Sequence, residues 1–126
     1  MDLRPGLATR VELTVTDADT AQSLGSGDVP VLGTPRVLAL AEAATIALTA
    51  GRLPEGTTTV GVRVELDHLI PTPVGSLVVA EAALSEVDGR RLAFVVTVRD
   101  GERVAARARI NRVLVERESF VAKAYA

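Results

Sequence analysis

From residue 58 to 117 the chain alternates apolar and polar residues in four stretches, and two of the three joints between them are Asp-Gly pairs. The stretches are TTVGVRVELDHL (58–69), SLVVAEAALSEV (76–87), RRLAFVVTVR (90–99) and ERVAARARINRVLVER (102–117). Alternation with a period of two marks strands with one buried face. Asp-Gly is the strongest short hairpin signal, so Asp88-Gly89 and Asp100-Gly101 fold the last three stretches into an antiparallel meander. Val60, Val62, Val64, Leu66 and His68 fall on one face of the first stretch. In the last, the apolar phase runs through 104, 106, 108 and 110 and then shifts to 113 and 115, which predicts a bulge near Asn111.

Upstream, RVELTVT (10–16) reads as a further strand and DADTAQSLGSGDVPVLG (17–33) as a short capped turn of helix at 19–24 followed by a loop. TPRVLALAEAATIALTAG (34–51) is the clearest helix: Thr34 is placed to cap it, Pro35 suits its first position and Gly51 its end. A helix of about 17 residues is roughly 25 Å long, enough to lie across a sheet. The tail ESFVAKAYA reads as a short helix. The fold expected is α+β, one long central helix against a five-stranded antiparallel sheet. With no internal repeat and no linker, residues 1–126 form one domain.

Composition removes several classes of function. The formal charge of −2 gives no field to hold nucleic acid. One histidine and no cysteine exclude thiolate chemistry and disulfides and leave no dedicated transition-metal site. The start, MDLRPGLATR, lacks the apolar core of a signal peptide, and no apolar run reaches the roughly 18 residues of a membrane span. A cytoplasmic location without membrane contact is therefore expected. A core of Val, Ala and Leu with three aromatics favours close helix-on-sheet packing completed by a partner chain.

Three residues stand out. Glu42 is the only charged residue between Val37 and Ala50, and its helical neighbours Leu38, Thr45, Ile46 and Thr49 do not form a polar stripe. It is either a groove-edge carboxylate paired with an arginine or a group retained for chemistry. A carboxylate in an apolar groove costs stability, so Glu42→Gln is expected to melt higher. His68 ends its strand, where a lone histidine is more often a packing residue. Thr34 needs no role beyond capping, yet the helix start also offers the N–H groups of Thr34 and Arg36 to a developing oxyanion. SLGSGD lacks the Gly-Lys-Ser/Thr of a phosphate loop, and Asp17 and Asp19 read as turn residues. Arg103, Arg107 and Arg109 make a basic row that is either a solvated face or a contact for phosphates.

GSGDVPVLGTPRVLALAEAA, TTVGVRVELDHLIPTPVG and EVDGRRLAFVVTV, in this order and at this spacing, resemble the hotdog-fold thioesterases of the fluoroacetyl-CoA thioesterase group. The resemblance runs from about residue 10 to 120. It implies a Thr–Glu–His catalytic set at Thr34, Glu42 and His68, with Gly61 beside the acyl group and Gly33 and Arg36 at the substrate-binding helix start. It also implies an acyl-CoA substrate, no cofactor or metal, and a homodimer or higher oligomer. Because Thr34 and Glu42 lie about 12 Å apart along one helix, they are expected to meet only across a two-fold axis. Two features depart from the group: no phenylalanine precedes Phe94, and Ile110 beside Asn111 replaces a histidine frequent in the last strand. Fluoroacetyl selectivity is therefore not implied. A non-catalytic acyl-CoA-binding module and a hotdog hydratase or dehydratase are the alternatives.

Overall fold

The computed structural model describes residues 1–126. Strand β1 (Ala8–Thr14) leads through a single turn at Asp17–Asp19 and a short helix α1 (Ala21–Leu24) to the long helix α2 (Thr34–Thr49). Four strands follow, β2 (Thr57–His68), β3 (Leu77–Asp88), β4 (Arg91–Asp100) and β5 (Arg103–Glu116), and then α3 (Arg117–Ala124). They form one antiparallel sheet in the order β1-β3-β4-β5-β2, so β2 and β1 are its edges.

Both Asp-Gly joints turn where expected. Gly89 and Gly101 carry φ of 58° and 61°, and no residue other than glycine has a positive φ. Glycine thus fills the first central position of each two-residue loop, the pattern of a II′ hairpin. Helix α2 lays Val37, Leu40, Ala41, Ala44 and Leu48 against Val78, Ala80, Leu84, Phe94, Val96, Ala106, Ala108 and Ile110. The alanines on the sheet face let the helix approach closely, while each buried leucine or valine contributes about 1.5–3 kcal/mol. Thr45 and Thr49 stay buried because their hydroxyls donate to the carbonyls of Glu42 and Ile46.

Three local expectations need correction. Gly33, not Thr34, caps α2; Thr34 is the first helical residue and Pro35 the second. The other end is as expected, with Ala50 as cap after Thr49 and Gly51, left-handed beyond it, ending the helix. Strand β1 begins and ends two residues earlier than its apolar pattern, because Thr16 is drawn into the turn by the Asp19 carboxylate. Finally, β5 has no bulge at Asn111. The extra residue is Val62 across the ladder on β2, and a second irregularity falls at Ala105. Arg112 simply continues the inward phase of Ala106, Ala108 and Ile110, facing the helix opposite Leu92. The bulge also splits the β2 face: Val64, Leu66 and His68 point inward with Ile110, Ala108 and Ala106, while Thr59 and Gly61, not Val60, take the inward positions before it.

Candidate active site

Two clusters lie on the helix side of the sheet. The first joins the start of α2 to the end of β2. With Gly33 as cap, the Thr34 side chain is free of helix duty, and its Oγ1 lies 2.8 Å from His68 Nδ1. Burial pulls the His68 pKa below its usual 6.5, so the imidazole is neutral at neutral pH. Its Nε2 is buried and meets no polar partner within the chain. The first backbone N–H groups of α2 divide unequally: Arg36 N–H donates to the Gly33 carbonyl at 3.0 Å, whereas Thr34 N–H opens the helix without an intrahelical acceptor.

A stitched segment fixes this helix start. Gly33 N–H donates to the Asp19 carbonyl, and Arg36 Nε donates to Asp19 Oδ1 at 3.1 Å. Burial alone would push the Asp19 carboxyl up, but the Thr16 amide and hydroxyl and the Arg36 guanidinium outweigh it and hold the group below the usual carboxylate range. Arg36, expected to meet substrate, thus has its Nε committed to Asp19. Gly33 has a packing reason to be glycine: a Cβ there would lie 3.0 Å from the Ala21 backbone.

The second cluster sits in the middle of α2. Glu42 Oε2 accepts a hydrogen bond from Arg112 Nη1 at 3.0 Å. Arg112 is buried and donates twice more, from Nε to Thr59 Oγ1 at 2.9 Å and from Nη2 to the Thr59 carbonyl at 3.0 Å. Gly61 is the floor beneath the pair, since a Cβ there would come within 3.0 Å of Glu42 Oε2 and 3.5 Å of Arg112 Nη1. Glu42 Oε1 has no partner in the chain, and about a third of the side chain is exposed.

Thr34, His68, Glu42 and Gly61 therefore all face the helix side, but a single chain brings together only Thr34 with His68 and Glu42 with Gly61. Arg112 escaped the reading of the sequence. Its signal is the apparent phase slip in β5, where an arginine at an inward position reads as a break. The basic row lies elsewhere: Arg107 and Arg109 stand on the far face, directly opposite Asp67 and Glu65 of β2, and Arg103 closes a hairpin against Asp100.

The sequence profile of the fluoroacetyl-CoA-specific thioesterase family matches residues 15–118. The chain belongs to this family. It is accordingly an acyl-CoA thioesterase with a hotdog fold. A structure of the fluoroacetyl-CoA thioesterase FlK superimposes with a TM-score of 0.92 at 26% identity, covering 99% of this chain and 97% of that one. A threonine-to-serine variant of FlK in complex with acetyl-CoA gives 0.90 at 26%, covering 98% and 97%. A hot-dog-like protein from Thermanaerovibrio acidaminovorans gives 0.90 at 23%, covering 99% and 96%, a likeness of fold. No curated protein matches the sequence. No helix is long and apolar enough to cross a membrane.

Proposed function

We propose that this thioesterase hydrolyses a short acyl-CoA to the free acid and coenzyme A at a site shared by two copies of the chain. Thr34 and His68 would come from one subunit, and Glu42, Gly61 and Arg112 from the other. The observation that carries this reading is the division of the site: Thr34 pairs with His68 while Glu42 is tied to Arg112 two helical turns away. Neither cluster alone holds the carboxylate together with the imidazole and the open helix start. Two α2 helices packed antiparallel across a two-fold axis would set the start of one beside the middle of the other.

The surface suits that pairing. Ile46 on α2 and Val62, Val64 and Leu69 on or just beyond the β2 edge are exposed apolar side chains, and β2 has an unpaired edge. The orphan Nε2 of His68 points the same way. A buried ring nitrogen without a partner costs about 1–3 kcal/mol, which substrate or a second subunit would offset.

In the reaction, the Glu42 carboxylate supplies the attacking oxygen, either its own or that of a water it deprotonates. The carbonyl oxygen becomes an oxyanion facing the start of the partner helix, where Thr34 N–H is free to donate. As the tetrahedral centre collapses, the C–S bond breaks and the thiolate of coenzyme A takes up a proton. Neutral His68, held through Nδ1 by the Thr34 hydroxyl, carries that proton between water and leaving group. Where attack is direct, water then cleaves the mixed anhydride and regenerates the carboxylate.

The relative solved with acetyl-CoA supports a small acyl group. The absence of phenylalanine before Phe94 gives no support to fluoroacetyl selectivity. The test is a panel of acyl-CoA thioesters followed by free-thiol release, with and without a chelator. Turnover of short acyl groups unaffected by chelation is expected. Tight acyl-CoA binding without thiol release would turn the reading into the binding module, and hydration of an enoyl-CoA without thiol release into the hydratase.

A further inference from the structure

We propose that Arg112 is a positioning residue for this reaction: it grips Glu42 by Oε2 so that Oε1 is the oxygen presented to the thioester. The inference rests on the reading of Glu42 as the attacking group. Three of the guanidinium's N–H groups are spent on fixed partners, two on Thr59 and one on Glu42, so its plane cannot swing. The grip on Glu42 uses a single oxygen. A purely structural arginine–carboxylate pair gains most from a bidentate fork, whereas a one-point grip aims the carboxylate and leaves Oε1 unengaged.

Gly61 belongs to the same device. Any side chain at this position would press on Oε2 and approach Nη1, so the missing Cβ is what admits the carboxylate to the guanidinium. The fold does not call for this pair. Residue 112 continues an inward phase of Ala106, Ala108 and Ile110 and stands opposite Leu92, positions that are all apolar. Replacing a buried ion pair by apolar residues is often neutral or stabilising. A buried cation retained on such a face, touching the one acid of α2, is accounted for by what it does to that acid. Lysine would keep the charge but lose the planar three-point hold.

The experiment is a double-mutant cycle in the full-length protein. kcat and KM are measured for the short acyl-CoA turned over best, by thiol release, in wild type, Arg112→Lys, Glu42→Gln and the double variant, with melting temperatures alongside. Arg112→Lys should lower kcat by about tenfold or more with KM changed less than about threefold, the signature of an interaction used in the transition state. In the Glu42→Gln background the same change should alter the residual kcat by less than about threefold, because the group it positions is gone. An equal loss in both backgrounds, or a raised KM with kcat kept, would overturn the positioning role. Full kcat in Glu42→Gln alone would remove the reading of Glu42, and the proposal with it. An inactive Glu42→Gln with an additive cycle removes only the role of Arg112. If Arg112→Lys does not fold, Thr59→Val withdraws the acceptor of Nε instead; it should show the same pattern at smaller size, and an unchanged kcat there would count against the proposal.

Discussion

The two halves of the site are built in opposite ways. Glu42 is held by a buried guanidinium that is itself anchored twice on Thr59, above a glycine that leaves no slack. Thr34 and His68 share one hydrogen bond near the surface, at the point where a helix begins and a strand ends. A carboxylate that is to attack must be held firmly in one orientation. A neutral pair that moves a proton needs only the correct tautomer and access to the substrate. The rigid half therefore has the heavier support, and the looser half is located from behind by the Asp19–Arg36 pair and the Asp19–Gly33 backbone bond.

The difference is broken most sharply at Glu42. Glu42→Gln keeps the shape and removes the charge, and kcat should fall at least about a hundredfold. Arg112 also reverses the stability expected from the sequence alone. With its partner neutralised, a buried guanidinium is left unpaired, so the variant should melt lower rather than higher. An unchanged kcat would return Glu42 to structure, and a higher melting temperature would show that the pair does not stabilise the fold.

How much of this was legible in the sequence follows the same division. The meander, the long strand before it and the long helix are written in period-two and helical patterns, and the structure keeps all of them. Thr34, Glu42 and His68 stood out as a lone cap, a lone acid and a lone imidazole, and the structure places all three on one side of the sheet. The cap was misjudged because both glycine and threonine suit that position; Gly33 took it, and Thr34 was released toward His68. Arg112 was hidden for a physical reason. Alternation reports burial, and a buried charge reads as an exposed one until its partner seventy residues away is found. The bulge at Val62 moved the inward positions of β2 from Val60 to Gly61, a change that no pattern within β2 announces.

At the looser half, Thr34→Val removes the hydroxyl that holds His68 Nδ1 and should lower kcat about tenfold to a hundredfold. Thr34→Ser should retain most of the activity, and equal losses in the two variants would show that the methyl, not the hydroxyl, matters. A smaller effect is expected from acid. Because burial favours the neutral ring, His68 should titrate with a midpoint below 6.5, and kcat/KM should decline only as pH falls through that lower value. As the only imidazole in the chain, it can be followed by NMR without assignment; a midpoint at or above 6.5 would remove the desolvated environment described for it.

Whether the two halves meet across subunits is decided by mixing chains. Thr34→Ala and Glu42→Ala proteins, each nearly inactive, are unfolded together, refolded and assayed by thiol release, with heterodimers quantified by mass. A shared site gives each heterodimer one centre carrying both changes and one carrying neither, so activity should return in proportion to the heterodimer formed. If heterodimers form and activity stays at the level of the parents, each site belongs to a single chain and the shared site is wrong.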